Sequence, residues 1–204
     1  MNIHKPPNWL RRLYYSFQWS VKSDVKEIYL TFDDGPTPEV TDWVLTQLAE
    51  YNAQATFFCI GRNVERHPEI YERILEQKHA VGNHTYSHLN GWKTWNNEYI
   101  NDIELASHYI DSKLFRPPYG KIRQNQIKNL RKHGYKLFMW DVLSEDYNKD
   151  KTPEQCLNIV KNYTTKGSII VFHDSLKGSK NLYGSLPETL KYFIEKGYNF
   201  HRLK

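Results

Sequence analysis

Short runs rich in β-branched and aromatic residues alternate, almost without exception, with longer runs whose apolar residues recur at helical spacing. This alternation leaves the chain few folds to choose from. Strands are expected over 28–32, 55–60, 80–84, 114–116, 136–141, 168–173 and 199–203, and helices near 38–51, 68–78, 97–112, 123–133, 153–165 and 187–196. Seven strands joined by six helices, with no block of consecutive strands, imply parallel pairing through right-handed crossovers, in a barrel or an open doubly wound sheet. No G-x-G-x-x-G follows the first strand, so a dinucleotide site has no support.

The punctuation agrees with this reading. Thr37-Pro38, Thr152-Pro153 and Ser185-Leu186-Pro187 read as helix starts, and "TPEQ" at 152–155 and "SLPE" at 185–188 fit the reciprocal capping box. Gly134, Gly167 and Gly197 read as the glycines that close helices. At 204 residues the chain is expected to be one domain over 27–204, with residues 1–26 an arm packed on it.

A net charge of +5 is spread along the chain without a long basic block or a nucleic-acid motif, so it reads as a solvated basic surface and no nucleic-acid partner is expected. Cys59 and Cys156 lack C-x-x-C spacing, and no disulfide is expected. The opening residues contain no continuous apolar stretch of the signal-peptide kind, and no run approaches 18 apolar residues. The expectation is therefore a monomeric cytoplasmic chain without a transmembrane segment, with envelope association as the alternative.

The reactive residues collect at one end of this pattern. Asp33 and Asp34 follow the first strand, His84 and His88 the third, Arg116 the fourth, Asp141 and Asp146 the fifth, and His173-Asp174 the sixth. In a parallel α/β barrel these carboxyl ends of the strands are where catalytic groups converge. Two imidazoles four residues apart plus one carboxylate make a common catalytic site for a divalent first-row metal, zinc first. Asp33 and Asp34 offer two carboxylates for that one position. As neighbours on an extended chain they point in opposite directions, so one can bind a cation while the other faces the space beside it.

"TFDDGP", "HTYSH", "RPPYG", "WDVLSEDY" and "VFHDS", in that order, closely resemble the polysaccharide deacetylases of the NodB-homology type, carbohydrate esterase family 4, over about residues 27–202. The resemblance implies a distorted (β/α)7 barrel. It implies Asp34, His84 and His88 as metal ligands, with Zn2+ expected and Co2+ or Ni2+ possible by the same geometry. Asp33 then matches the general base, Arg116 the residue that orients it, and His173 the general acid. The carboxylate partner of His173 is Asp146 by the match of "EDY" to a motif ending in Asp-Trp, with Asp141 the other candidate. Tyr119 matches the position whose backbone N–H helps hold an oxyanion, and Pro118, Trp140 and Asp174 complete the expected substrate side, Asp174 either contacting substrate or capping.

Two departures from the family pattern stand out: Tyr147 takes the place of the Trp, and Val171-Phe172-His173 keeps only the apolar character of Leu-x-His. His67, His79, His108, His133 and His201 match no motif and read as surface or helix histidines, while Trp92 and Trp95 could stack on sugars or simply pack. The expected activity is metal-dependent removal of acetyl groups from an N-acetylated amino-sugar polysaccharide or oligosaccharide of the peptidoglycan or chitin kind. The alternatives are hydrolysis of O-acetyl esters on a xylan-like polymer, or an inactive carbohydrate-binding barrel.

Overall fold

Eight parallel strands carry the chain: β1 (Glu27–Asp33), β2 (Ala55–Cys59), β3 (Ala80–Asn83), β4 (Leu114–Phe115), β5 (Lys136–Leu137), β6 (Val142–Leu143), β7 (Ile169–His173) and β8 (Asn199–Phe200). The structure, a computed structural model, describes residues 4–204. Around the strands lie helices α1 (Asn8–Leu13), α2 (Val40–Glu50), α3 (Gly61–Arg66), α4 (Pro68–Glu76), α5 (Asn96–Ser107), α6 (Gln124–Lys132), α7 (Pro153–Tyr163) and α8 (Ser179–Glu195). The hydrogen-bonded order is β5-β4-β3-β2-β1-β7-β6, and β8 pairs the first residues of β1.

The stretch expected as one strand over 136–141 is broken in two. Lys136 and Leu137 pair with β4, whereas Val142 and Leu143 pair with β7. The residues between continue the pairing on each side: the Phe138 N–H donates to Phe115 O and the Asp141 N–H to Ile169 O. A single interrupted segment thus bridges the two ends of the sheet, giving the distorted (β/α)7 barrel that the resemblance implies. Being covered on both faces, β1, β2 and β7 are largely buried, and β2 and β7 are almost wholly apolar, with Leu30, Phe32, Phe57, Ile170 and Phe172 in one core.

Two helix starts differ from the expectation. α8 begins at Ser179, not near 187, and runs through Pro187. Leu182, Leu186, Leu190 and Phe193 lie buried along one face, each worth roughly 1.5–3 kcal/mol, which outweighs the roughly 3 kcal/mol penalty of an interior proline. Ser185 is therefore not a cap, and its Oγ donates to the Asn181 carbonyl one turn back. α2 starts at Val40 rather than after a Thr37 cap, because the Thr37 N–H donates to Thr41 Oγ1 inside the helix. The Thr152 box forms as read, with Gln155 reciprocating.

The segment before β1 lies across the seam of the barrel. Gln18 donates its N–H to Leu137 O and accepts from the Met139 N–H, and Phe17 and Trp19 are buried in a second core with Leu137 and Met139. Arg11 and Lys5 ion-pair with the buried Asp141, which also accepts from Ser168 Oγ. Cys59 and Cys156 are buried free thiols. Among the described residues, no helix is long and apolar enough to cross a membrane.

Candidate active site

Asp33 and His173 are register partners across β1 and β7, so the pairing of two core strands brings them side by side. Asp34 follows at the turn with φ 81°, its carbonyl held by Asn63 Nδ2 at 2.8 Å. The next residue must be glycine: a Cβ at Gly35 would stand 2.0 Å from Asp174 Oδ2. Asp174 lies beneath this turn, 1% exposed, accepting from the Gly35 N–H at 3.1 Å and from Thr41 Oγ1 at 2.7 Å. Burial pushes its pKa up to about 8 despite the Thr41 hydrogen bond. The expectation that Asp174 serves the substrate side is corrected: both its oxygens are spent fixing the turn, and it does not line the cleft.

His84 and His88 stand on the loop after β3. Asp102 shapes that loop by accepting from the N–H groups of Tyr86 and Ser87, and Asn83 by accepting from that of Thr85. The donor atoms of Asp34, His84 and His88 lie within 4.8 Å of one another, with His88 Nε2 3.1 Å and His84 Nε2 3.7 Å from Asp34 Oδ1. The backbone carbonyl of Arg116 lies 2.7 Å from His84 Nδ1 and can only accept, so Nδ1 carries the hydrogen and Nε2 turns a lone pair toward Asp34. Burial keeps His84 neutral, lowering its pKa to about 4. Burial alone would raise that of Asp34, but the His88 hydrogen bond and the positive charge of His173 hold it well below the usual carboxylate range. The His84 Nε2 lone pair faces the Asp34 carboxylate with no proton between them, which fits a divalent cation, and the Asp/His/His set suits a first-row metal with an open position.

Beside this cluster Arg116 is fully buried. Its Nη1 donates to Asp33 Oδ1 and Thr31 Oγ1, each at 2.7 Å, and its Nη2 to Met139 O at 2.9 Å. The guanidinium also stacks 4.2 Å from the Phe58 ring centre. On the other side, Asp146 Oδ1 is 2.8 Å from His173 Nδ1, and Asp146 Oδ2 accepts the His173 backbone N–H at 2.7 Å. Ser144 Oγ and Asn181 brace Asp146. Burial opposes a charge on His173, yet the Asp146 carboxylate outweighs it, with Asp34 and Asp33 adding, and the pKa rises to about 9. Asp141, the other candidate partner, is instead engaged by Arg11 and Ser168.

These groups line a cleft of about 440 Å³ with Tyr119, Trp140 and Tyr147 on its walls. Tyr147, in the place of the expected Trp, sets its ring edge-on to His173 at 4.9 Å. Tyr119, at φ 61°, places its ring 4.6 Å from that of His88. The Pro117 and Pro118 carbonyls accept from Gly120 and Lys121, and the Tyr119 N–H takes part in neither bond. Pro118 is buried beneath the turn, and Pro117 lines the cleft in its place, which corrects the expectation for Pro118. A Cβ on Gly120 would lie 2.7 Å from the Trp140 ring, so this turn and that ring need the glycine.

Thr31, Ser144 and Asn181 were not foreseen, nor was Lys177, which lines the cleft with its Nζ 5.3 Å from the Tyr147 ring centre. Thr31 and Ser144 had a signal, since each lies two residues before a site carboxylate and so on the same face in an extended chain. Five non-glycine residues here have positive φ: Asp34, Thr85, His88, Tyr119 and Glu145. Such backbone gathers at functional sites, at roughly 1–3 kcal/mol each.

Residues 20–138, more than half of the chain, match the polysaccharide deacetylase family model. A peptidoglycan-N-acetylglucosamine deacetylase of Bacillus cereus is 36% identical over 89% of this chain and 66% of its own length. The peptidoglycan-N-acetylmuramic acid deacetylase PdaC of Bacillus subtilis is 36% identical over 88% of this chain, which spans only 38% of that protein. The crystal structure of a peptidoglycan N-acetylglucosamine deacetylase in complex with 4-naphthalen-1-yl-N-oxidanyl-benzamide superposes with a TM-score of 0.87 at 33% identity, covering 96% of this chain and 94% of that one. Ordered motifs, barrel and relatives converge: the chain belongs to the polysaccharide deacetylases, the NodB-homology proteins of carbohydrate esterase family 4.

Proposed function

We propose that the protein hydrolyses acetyl groups from an N-acetylated amino-sugar glycan of the peptidoglycan kind, with residues 27–204 as the catalytic unit. The observation that carries this reading is the placement of the Asp34–His84–His88 cluster between two separately braced groups, Asp33 on Arg116 and His173 on Asp146. Asp34, His84 and His88 would hold a divalent metal, zinc first on ligand type with cobalt or nickel as alternatives. Such an ion supplies Lewis acidity, polarising the acetyl carbonyl and making a water easier to deprotonate.

The chain's own residues divide the remaining work. Arg116 occupies Oδ1 of Asp33, leaving Oδ2 to take the proton of the attacking water. The Tyr119 N–H faces the developing oxyanion, a contribution of the order of 3–4 kcal/mol where such donors have been removed. His173, with Nδ1 held by Asp146, carries its proton on Nε2 and delivers it to the departing nitrogen, so the amine leaves neutral. Tyr147 and Trp140 wall the cleft and hold the sugar over these groups.

The test is acetate release from N-acetylated chitooligosaccharides, peptidoglycan fragments and acetylated xylan, in parallel, with metal content measured on the same preparation. Release from an amino sugar that disappears in Asp33→Asn while the metal stays bound is the expected result. Release from xylan alone would replace the amide reading with the ester one.

A further inference from the structure

The N-terminal arm carries most of the chain's imbalance of charge. Residues 1–26 hold five Lys or Arg, namely Lys5, Arg11, Arg12, Lys22 and Lys26, against one acid, Asp24, so four of the five net positive charges lie there. Arg11 is engaged by the buried Asp141, whereas Arg12 is exposed and forms no ion pair or hydrogen bond among the described residues.

Helix α1 sorts its side chains by face. Leu10 and, just past the helix, Tyr14 wall a cavity of about 350 Å³ beside the catalytic cleft, and Arg11 Nε donates to the Pro6 carbonyl at 3.2 Å. Trp19 Nε1 holds the far end by donating to the Tyr14 carbonyl at 3.2 Å. The opposite face shows Trp9, Arg12 and Leu13 to solvent, with Trp9 65% and Leu13 56% exposed, and Tyr15 follows at 81%. Trp9 and Leu13 are four residues apart, so on a helix they are neighbours and make one apolar ridge rather than two scattered side chains. The inward contacts hold that ridge out on a fixed support, which lowers the ordering cost of docking.

Charge and apolar surface together select the occupant. A soluble polyanion would meet Arg12 and leave Trp9, Leu13 and Tyr15 in water. A bilayer with anionic headgroups engages all four, since Trp and Tyr rings settle at headgroup level, leucine reaches the acyl boundary and arginine meets phosphate. At six residues α1 is too short to span such a bilayer, so it would lie in the plane of the interface.

We propose that α1 docks the protein on an anionic phospholipid surface through Trp9, Arg12, Leu13 and Tyr15. This goes beyond the deacetylase reading and does not rest on it. Because the same helix walls the cavity next to the cleft, docking holds the mouth of the barrel at the bilayer.

The experiment is co-sedimentation of the full-length protein with vesicles of phosphatidylcholine alone and of equimolar phosphatidylcholine and phosphatidylglycerol. Binding to the anionic vesicles should be at least about tenfold tighter, and should fall about tenfold or more in the Trp9→Ala/Leu13→Ala double variant and at least about fivefold in Arg12→Glu, each with native circular dichroism. Lipids brominated on their acyl chains should quench the tryptophan fluorescence of bound protein, and Trp9→Phe should remove most of that quenching. Equal or absent binding to the two kinds of vesicle overturns the proposal. So does binding to anionic vesicles that the double variant retains, or that comes without quenching by the brominated lipids, since either outcome shows adhesion by charge alone.

Discussion

Arg116 binds His84 with its main chain and Asp33 with its side chain. Its carbonyl oxygen lies 2.7 Å from His84 Nδ1, while its Nη1 donates to Asp33 Oδ1 at 2.7 Å. One residue therefore fixes both the tautomer of a metal-side imidazole and the direction of the neighbouring carboxylate. The two tasks are separable, because only the second is lost with the side chain.

Replacing Arg116 by Met should leave metal affinity within a few-fold of wild type and lower kcat by about a hundredfold, the scale on which misoriented groups act. The fully buried ion pair also loses a partner, so stability should fall by roughly 3–5 kcal/mol. Metal titration and steady-state rates on the same samples check this, and a parallel collapse of metal binding would contradict the division.

The adjacent aspartates should fail differently. Asp34→Ala removes the carboxylate nearest His88 Nε2, at 3.1 Å, and should weaken metal binding by more than the roughly 10–100-fold that changing an outer partner costs. Asp33→Ala should keep the metal and lose turnover by about two orders of magnitude or more. Equal metal loss in the two variants, read by elemental analysis after dialysis, would show the assignment to be wrong.

In metal-free protein His173 should titrate near 9, above its ordinary value of 6.5, against the effect of burial and because of Asp146. The raised value means that the folded state holds this proton more tightly than the unfolded chain. The resulting stability is fully present below about 6.5 and drains away as pH climbs to about 9. Asp146→Asn should move the NMR midpoint down by a unit or more and flatten this alkaline loss.

His79 should act in the opposite direction. It is buried, its Nδ1 accepts the Ala55 N–H at 3.2 Å, and burial lowers its pKa from 6.5 to about 4. The neutral ring thus contributes stability that is present above about 6.5 and lost as pH falls toward 4, on the order of 3 kcal/mol in all. His79→Asn keeps an acceptor without the titration, so urea midpoints at pH 7 and pH 4.5 should converge relative to wild type.

What could be read without coordinates followed from periodicity and from side chains that need particular neighbours. All seven strand regions and the end of the barrel that gathers Asp33, His84, Arg116 and His173 were legible, because strands buried on both faces leave long apolar runs that stop at polar residues. The break in the fifth strand was not, since one continuous run, 136–141, supplies pairing to two different neighbours. Nor was the length of α8, where burial overrides the local meaning of Ser185 and Pro187. His79 was read as surface because its single alternation with neighbours does not reveal the Ala55 N–H it serves. Asp174 beside His173 invited a substrate-side reading as well as a capping one, but successive residues of extended chain face opposite ways, and this one faces the Gly35 turn. α1 and the cavity it walls lie in a stretch with no clean period, so only tertiary contact defines them.

The left-handed backbone at Asp34, Thr85, His88, Tyr119 and Glu145 sets a trap for anyone selecting this protein for heat resistance. At such positions a glycine relieves the steric conflict of the side chain, so stabilising substitutions should concentrate there. Each one removes a group of the proposed metal cluster or of a cavity wall, except at Thr85, whose hydroxyl accepts the Leu89 N–H and holds the loop between the two histidines. A library ranked on melting temperature alone would therefore drift toward a sturdier barrel with an empty mouth.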